Sequence, residues 1–242
     1  MKILALDSSG IVASVAVVED DTLLAEYTVN YKKTHSQTLL PMLDEIVKMT
    51  ELDLESIDAI AVAAGPGSFT GLRIGSATAK GLGLALKKPL VAVPTVDALA
   101  YNLYDAQGVI CPIMDARRKQ VYTGIYRFEE HQLVTLKEQW AAPIEELLEE
   151  LNHRGEMVTF LGDGVPVFRD LIAEKLQVPY SFAPAHVNKQ RAAAVAALGS
   201  IYYKEGRTET AIEHVPEYLR VSQAERERAE REKVQKQAGA EI

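Results

Sequence analysis

Apolar and polar positions along this chain follow two different periods, and the change from one to the other marks the elements. Residues 2–7, 11–19 and 22–30 are short apolar or alternating runs that predict three strands, the last two joined through Asp20 and Asp21 as a hairpin. Over residues 35–50 the period lengthens to that of a helix, with Leu39, Leu40, Leu43, Ile46 and Val47 as its apolar positions and Thr34 and Gln37 spaced as a capping box. Pro41 lacks an amide and crowds the preceding turn, so this helix either kinks there or begins near it. A strand at 57–64, a helix at 69–86, a strand at 90–93 and a helix at 95–104 complete the first half.

The second half repeats this grammar. Residues 109–114 and 120–128 read as strands around the polar turn Asp115-Ala-Arg-Arg-Lys119, and 133–140 as a third. Pro143 opens a helix with Ile144, Leu147, Leu148 and Leu151 on one face. A strand at 157–161 ends in Gly162-Asp163-Gly164, a generic turn, and helices follow at 165–176 and, alanine-rich, at 188–204. Strand-strand-strand-helix-strand-helix thus occurs twice, which predicts two similar α/β lobes with mixed sheets, at 1–104 and 105–220. The last helix, 188–205, is expected to pack back on the first lobe. The charged tail at 221–242 reads as a solvated helix or a disordered segment.

The densest local signal is AGPGSFTGLRIG at 64–75, between a strand and a helix. Gly65 and Gly67 free the backbone for a tight turn around Pro66, and Ser68 or Thr70 is placed to cap the helix. Gly71, Gly75, Ala79 and Gly83 then recur every fourth residue. Glycine inside a helix costs about 1 kcal/mol against alanine, so the stripe implies a close approach, either within the domain or by a partner helix.

Composition narrows the function classes. A net charge of −8 argues against broad affinity for a nucleic-acid backbone, which needs basic surface. The single Cys111 excludes an intrachain disulfide framework. Neither a basic-then-apolar leader nor an apolar run of membrane-spanning length is found, so a cytoplasmic protein with no membrane partner is expected.

Two lobes that each open with an Asp-bearing hairpin resemble the actin, Hsp70 and sugar-kinase (ASKHA) superfamily. Within it, the 64–75 signature, LALDSS at 4–9, HSQ at 35–37 with LLP at 39–41, and VPTVDAL at 93–99 resemble the TsaB (YeaZ) family. The resemblance covers about residues 1–220. It implies a subunit, not catalytic by itself, of the machinery that places N6-threonylcarbamoyladenosine at position 37 of tRNAs reading codons that begin with A. Catalysis would belong to a TsaD paralogue, with a TsaE ATPase joining the complex and tRNA reached through it. The two helices of the first lobe would form the surface that grips the paralogue, or a second copy when the paralogue is absent. The residues carried onto that surface are His35, Leu39, Leu43, Ile46, Phe69, Leu72, Arg73, Gly75, Ser76, Ala79, Lys80 and Gly83.

The residues give two rival readings. In a nucleotide-dependent kinase or ATPase of this fold, Asp7, Ser8 and Ser9 would form the first phosphate loop and Asp115 the second, yet Ala116-Arg117-Arg118 replaces the glycine pair expected there. Any ATP or ADP is therefore expected at the complex interface, with no cofactor firmly bound to this chain. A metallopeptidase would need a histidine pair, whereas His35, His131, His153, His186 and His214 are scattered and the stretch matching the paralogues' His-x-x-x-His holds none. The Gly65 turn lacks the lysine of a P-loop, and no Gly-x-Ser-x-Gly elbow occurs.

Overall fold

The computed structural model describes residues 1–220, so the charged tail lies outside the described residues. Five strands form the first sheet: β1 (Lys2–Asp7), β2 (Val12–Glu19), β3 (Thr22–Asn30), β4 (Ala59–Gly65) and β5 (Leu90–Pro94), in the order β3-β2-β1-β4-β5. The second comprises β6 (Val109–Asp115), β7 (Gln120–Glu129), β8 (Gln132–Pro143), β9 (Val158–Leu161) and β10 (Tyr180–Phe182), in the order β8-β7-β6-β9-β10. In both, the first three strands are antiparallel and the last two join the first in parallel. The two-lobed α/β architecture with two mixed sheets is therefore present, and its duplication is topological, strand for strand.

Period-two alternation gives each sheet two apolar faces. On the first, Leu4, Leu6, Val15, Ile60 and Val62 meet α1 (Leu39–Thr50) and α2 (Phe69–Leu86). The opposite face, with Ile3, Ala5, Ala61 and Val93, is covered by α6 (Ala192–Lys204) through Ala192, Val195 and Ala196. In the second lobe α4 (Ile144–Arg154) and α5 (Val165–Lys175) cover one face. The other is met by α3 (Thr95–Tyr101), whose Val96, Leu99 and Ala100 pack on Ile110, Met114 and Tyr126. The two halves therefore exchange their last helices.

Local departures have local causes. Residues 35–50 are not one helix: His35–Gln37 is a separate 3-10 turn, and α1 starts at Leu39, which puts Pro41 in its first turn, where its missing amide is tolerated. The capping box does not form, since neither Thr34 nor Thr38 makes a side-chain cap. Pro143 ends β8 and stands at the N-cap of α4 rather than inside it. The alanine-rich helix begins at Ala192, not 188, and α3 stops at Tyr101. The three-residue strand β10 had no signal of its own in the sequence.

Candidate functional site

The two lobes face each other across a cleft of about 600 Å³ lined by the ends of their parallel strands. From the first lobe come Ser9 and Gly10 of the β1–β2 turn and Gly67–Phe69 of the β4–α2 turn; from the second, Asp115–Arg117 and Asp163. Topology dictates this, because Asp7 and Asp115 close equivalent strands, while Gly65 ends β4 and Gly162 directly follows its counterpart β9. Both glycines are left-handed, at φ +127° and +105°, a region open to glycine at no steric cost. Ser68 caps α2, its hydroxyl accepting from the Gly71 amide at 3.3 Å.

Asp7 is 1% exposed, and its Oδ1 accepts both the Ser9 amide, at 2.8 Å, and the Ser9 hydroxyl, at 2.7 Å. Burial pushes its carboxyl up to about 6, against the pull of those two bonds. Ser8 is also turned inward, donating to the Gly71 carbonyl at 2.9 Å. His35 Nε2 lies 2.8 Å from the Gly10 carbonyl, so a ring N–H there braces the same turn.

In the second lobe the Asp115 carboxylate accepts the Arg117 amide at 2.8 Å and pairs with the Arg117 guanidinium at 3.2 Å. Arg117, Arg118 and Lys119 all have positive φ, costing roughly 1–2 kcal/mol each for side-chain-bearing residues. Asp163, read from sequence as part of a generic turn, accepts the Asp115 amide at 3.3 Å and is pushed up by burial, while nearby Lys189 is pushed down by its own. One oxygen of the first carboxylate is taken up by Ser9, the second turn carries Ala116, Arg117 and Arg118 in place of glycines, and the Glu217 carbonyl lies against the open side of Gly65.

The structure relocates most of the residues assigned to a partner surface. Leu39, Leu43 and Ile46 are core residues under α1. Leu72, Gly75, Ser76, Ala79 and Gly83 are likewise buried. The glycine stripe is filled from within: a β-carbon at Gly71 would strike the Ser8 carbonyl, one at Gly75 would lie 2.5 Å from Ser8 Oγ, and one at Gly83 3.0 Å from Leu90 Cδ2. The close approach is thus made by the chain itself. Phe69 stacks on Tyr218 with ring centroids 4.5 Å apart, Arg73 lies over the Phe69 ring at 4.0 Å, and Lys80 donates to the His214 carbonyl at 2.9 Å.

The outward face of α2 keeps Arg73 from that set and adds Thr70, Ala77, Gly81 and Leu84, all exposed. A β-carbon at Gly81 would meet nothing within 4 Å. Beside it, α1 exposes Leu40 at 53% and Met49 at 81%. A helix that buries one stripe and still shows apolar side chains outward is what a docking surface requires. Among the described residues no cluster of three metal-ligating side chains occurs, and no helix is long and apolar enough to cross a membrane.

The family model described as TsaD, tRNA N6-adenosine threonylcarbamoyltransferase, matches residues 22–228. The tRNA threonylcarbamoyladenosine biosynthesis protein TsaB of Bacillus subtilis is 34% identical over 225 residues, covering 93% of this chain and 96% of that protein. Its counterpart in Escherichia coli is 32% identical, covering 91% and 95%. The solved structure of YeaZ from Pseudomonas aeruginosa superposes with a TM-score of 0.77 at 25% identity, covering 90% of this chain and 99% of that one.

Proposed function

Since the chain belongs to the TsaB (YeaZ) family of tRNA threonylcarbamoyladenosine biosynthesis proteins, we propose that it is the subunit that docks to and activates a TsaD-like catalytic paralogue. The reaction served is transfer of a threonylcarbamoyl group to N6 of adenosine 37 in tRNAs reading codons that begin with A, and a TsaE-like ATPase joins the complex. The observation that carries this reading is the outward platform of α2 in the first lobe, where Ala77, Gly81 and Leu84 share one exposed face. A partner helix can come close at Gly81, where no β-carbon intervenes. When the paralogue is absent, the same platform pairs two copies of this chain.

The cleft supports a non-catalytic role. Asp7 is sequestered by Ser9, so the carboxylate that would organise a phosphate transfer is not presented to one. ATP or ADP then belongs at the junction with the partner rather than to this chain's own turns, and with a net charge of −8 tRNA is contacted mainly through the other subunits.

Reconstitution tests the reading: the paralogue, the ATPase, a threonylcarbamoyl donor and tRNA, with and without this chain. Modified adenosine should form only with the chain present, and the chain alone should yield none. Leu84→Asp, at a side chain 60% exposed, should leave stability within about 0.5 kcal/mol and sharply reduce both association and activation. Transfer or ATP turnover by the unaccompanied chain, or full activation by Leu84→Asp, would overturn it.

A further inference from the structure

Beyond α6 the chain returns along α2 in the opposite direction. Glu209 bridges to Leu90 through backbone bonds of 2.9 and 3.0 Å. Ala211 packs at Gly83, Lys80 holds the His214 carbonyl, and Tyr218 reaches Phe69 in the first turn of α2. There the segment turns across the mouth of the cleft. The Glu217 amide donates to the Ala64 carbonyl at 2.7 Å, and Arg73 Nε donates to the Tyr218 hydroxyl at 3.3 Å, both in the first lobe. Gln139 of β8 donates to the Glu217 carboxylate at 2.8 Å, and Arg220 Nη1 donates to the Ala116 carbonyl at 2.6 Å, both in the second.

We propose that residues 217–220 form a latch that fastens the Gly65 turn of one lobe to the Ala116 turn of the other and sets how far the cleft between them opens. Three observations converge on it. Successive residues of one short segment bind different lobes. The left-handed Gly65 is explained by it, because a β-carbon there would collide with the Glu217 carbonyl. The same four residues also line the cleft with Ser9, Gly67 and Asp115. The α3 and α6 helices join the lobes through buried apolar faces and form the permanent connection. The latch consists of single hydrogen bonds and one stacked ring pair, so it can release without unfolding either lobe. Since Arg73 is exposed on α2 and also grips Tyr218, the outer helical face and the cleft mouth share a residue. The inference stands whether or not the partner reading holds.

Hydrogen–deuterium exchange on the full chain tests it by a cross-lobe readout. Arg220→Ala removes a contact to the second lobe. It should speed exchange several-fold at the Ser68 amide of the first lobe, which is bonded to the Ser9 carbonyl and which Arg220 does not touch. Tyr218→Ala should do the same at the Arg117 and Gln120 amides of the second lobe. Arg220→Lys, which keeps a donor, should stay near wild type, and unchanged protection within α6 certifies the fold. Faster exchange confined to the turn that each residue touches, or no change in either variant, would overturn the latch.

Discussion

One substitution, Gly→Ala, made at two positions of α2 should act with opposite signs. At Gly71 the added methyl points at the backbone carbonyl of Ser8, whose position is fixed by β1 and by the Ser8 hydroxyl bond to the Gly71 carbonyl. Neither atom is the movable end of a long side chain, so overpacking should cost about 1–3 kcal/mol. Little is regained from helix propensity, because Gly71 lies in the first turn. At Gly81 the methyl meets nothing within 4 Å and sits mid-helix, so the variant should gain about 1 kcal/mol. In urea titrations followed by far-UV circular dichroism, with m of about 2 kcal/mol/M, Gly71→Ala should lower the midpoint by roughly 0.5–1.5 M and Gly81→Ala should raise it by about 0.5 M. Binding gives a second axis: Gly81→Ala, though more stable, should bind the paralogue more weakly, because it thickens the outer face. A Gly71→Ala protein as stable as wild type would refute the inward packing of the stripe. Unimpaired association by Gly81→Ala would show that no partner approaches there.

Two further outcomes follow from buried groups. Asp7 titrates at about 6 when folded, against 3.8 unperturbed. The folded state therefore holds its proton to higher pH than the unfolded state, and this carboxyl's contribution to stability declines as pH rises from about 4 to 6, by on the order of 2–3 kcal/mol. Asp7→Asn keeps the acceptor for Ser9 and removes the titration, so its stability relative to wild type should improve across that window; a flat difference between pH 4 and 7 would contradict the assignment. Cys111 is fully buried, with its thiol pushed up to about 12 by burial, so an aromatic disulfide reagent at pH 8 should label the native protein only after denaturant is added.

What the sequence disclosed follows from the range of the interactions involved. All the strands but β10, together with α2, the Ser68 cap and the duplication, are local or periodic, and these were visible as patterns. The glycine stripe announced that something comes close to α2, but the Ser8 hydroxyl comes from 63 residues away in the chain, and no local pattern names such a visitor. For the same reason Leu39, Leu43 and Ile46 looked available for a partner although they face the chain's own sheet. An apolar stripe is identical in sequence whichever surface covers it. Asp163 passed as turn chemistry because its significance lies in its distance to Asp115. The latch left no trace, being made of a backbone amide, a backbone carbonyl and three unremarkable side chains.

The exchange of α3 and α6 between the lobes bears on how the molecule is made. The face of the first sheet that carries Ile3, Ala5, Ala61 and Val93 is covered chiefly by α6, residues Ala192–Lys204, together with Ala98 of α3. During synthesis, which proceeds from the amino end, the first five strands must wait without α6 over Ile3, Ala5, Ala61 and Val93 until almost the whole described chain has emerged. The first half should therefore not survive as a separate fragment, while a protein severed in the linker between α3 and β6 should reassemble from its two pieces, each supplying the helix that the other lacks.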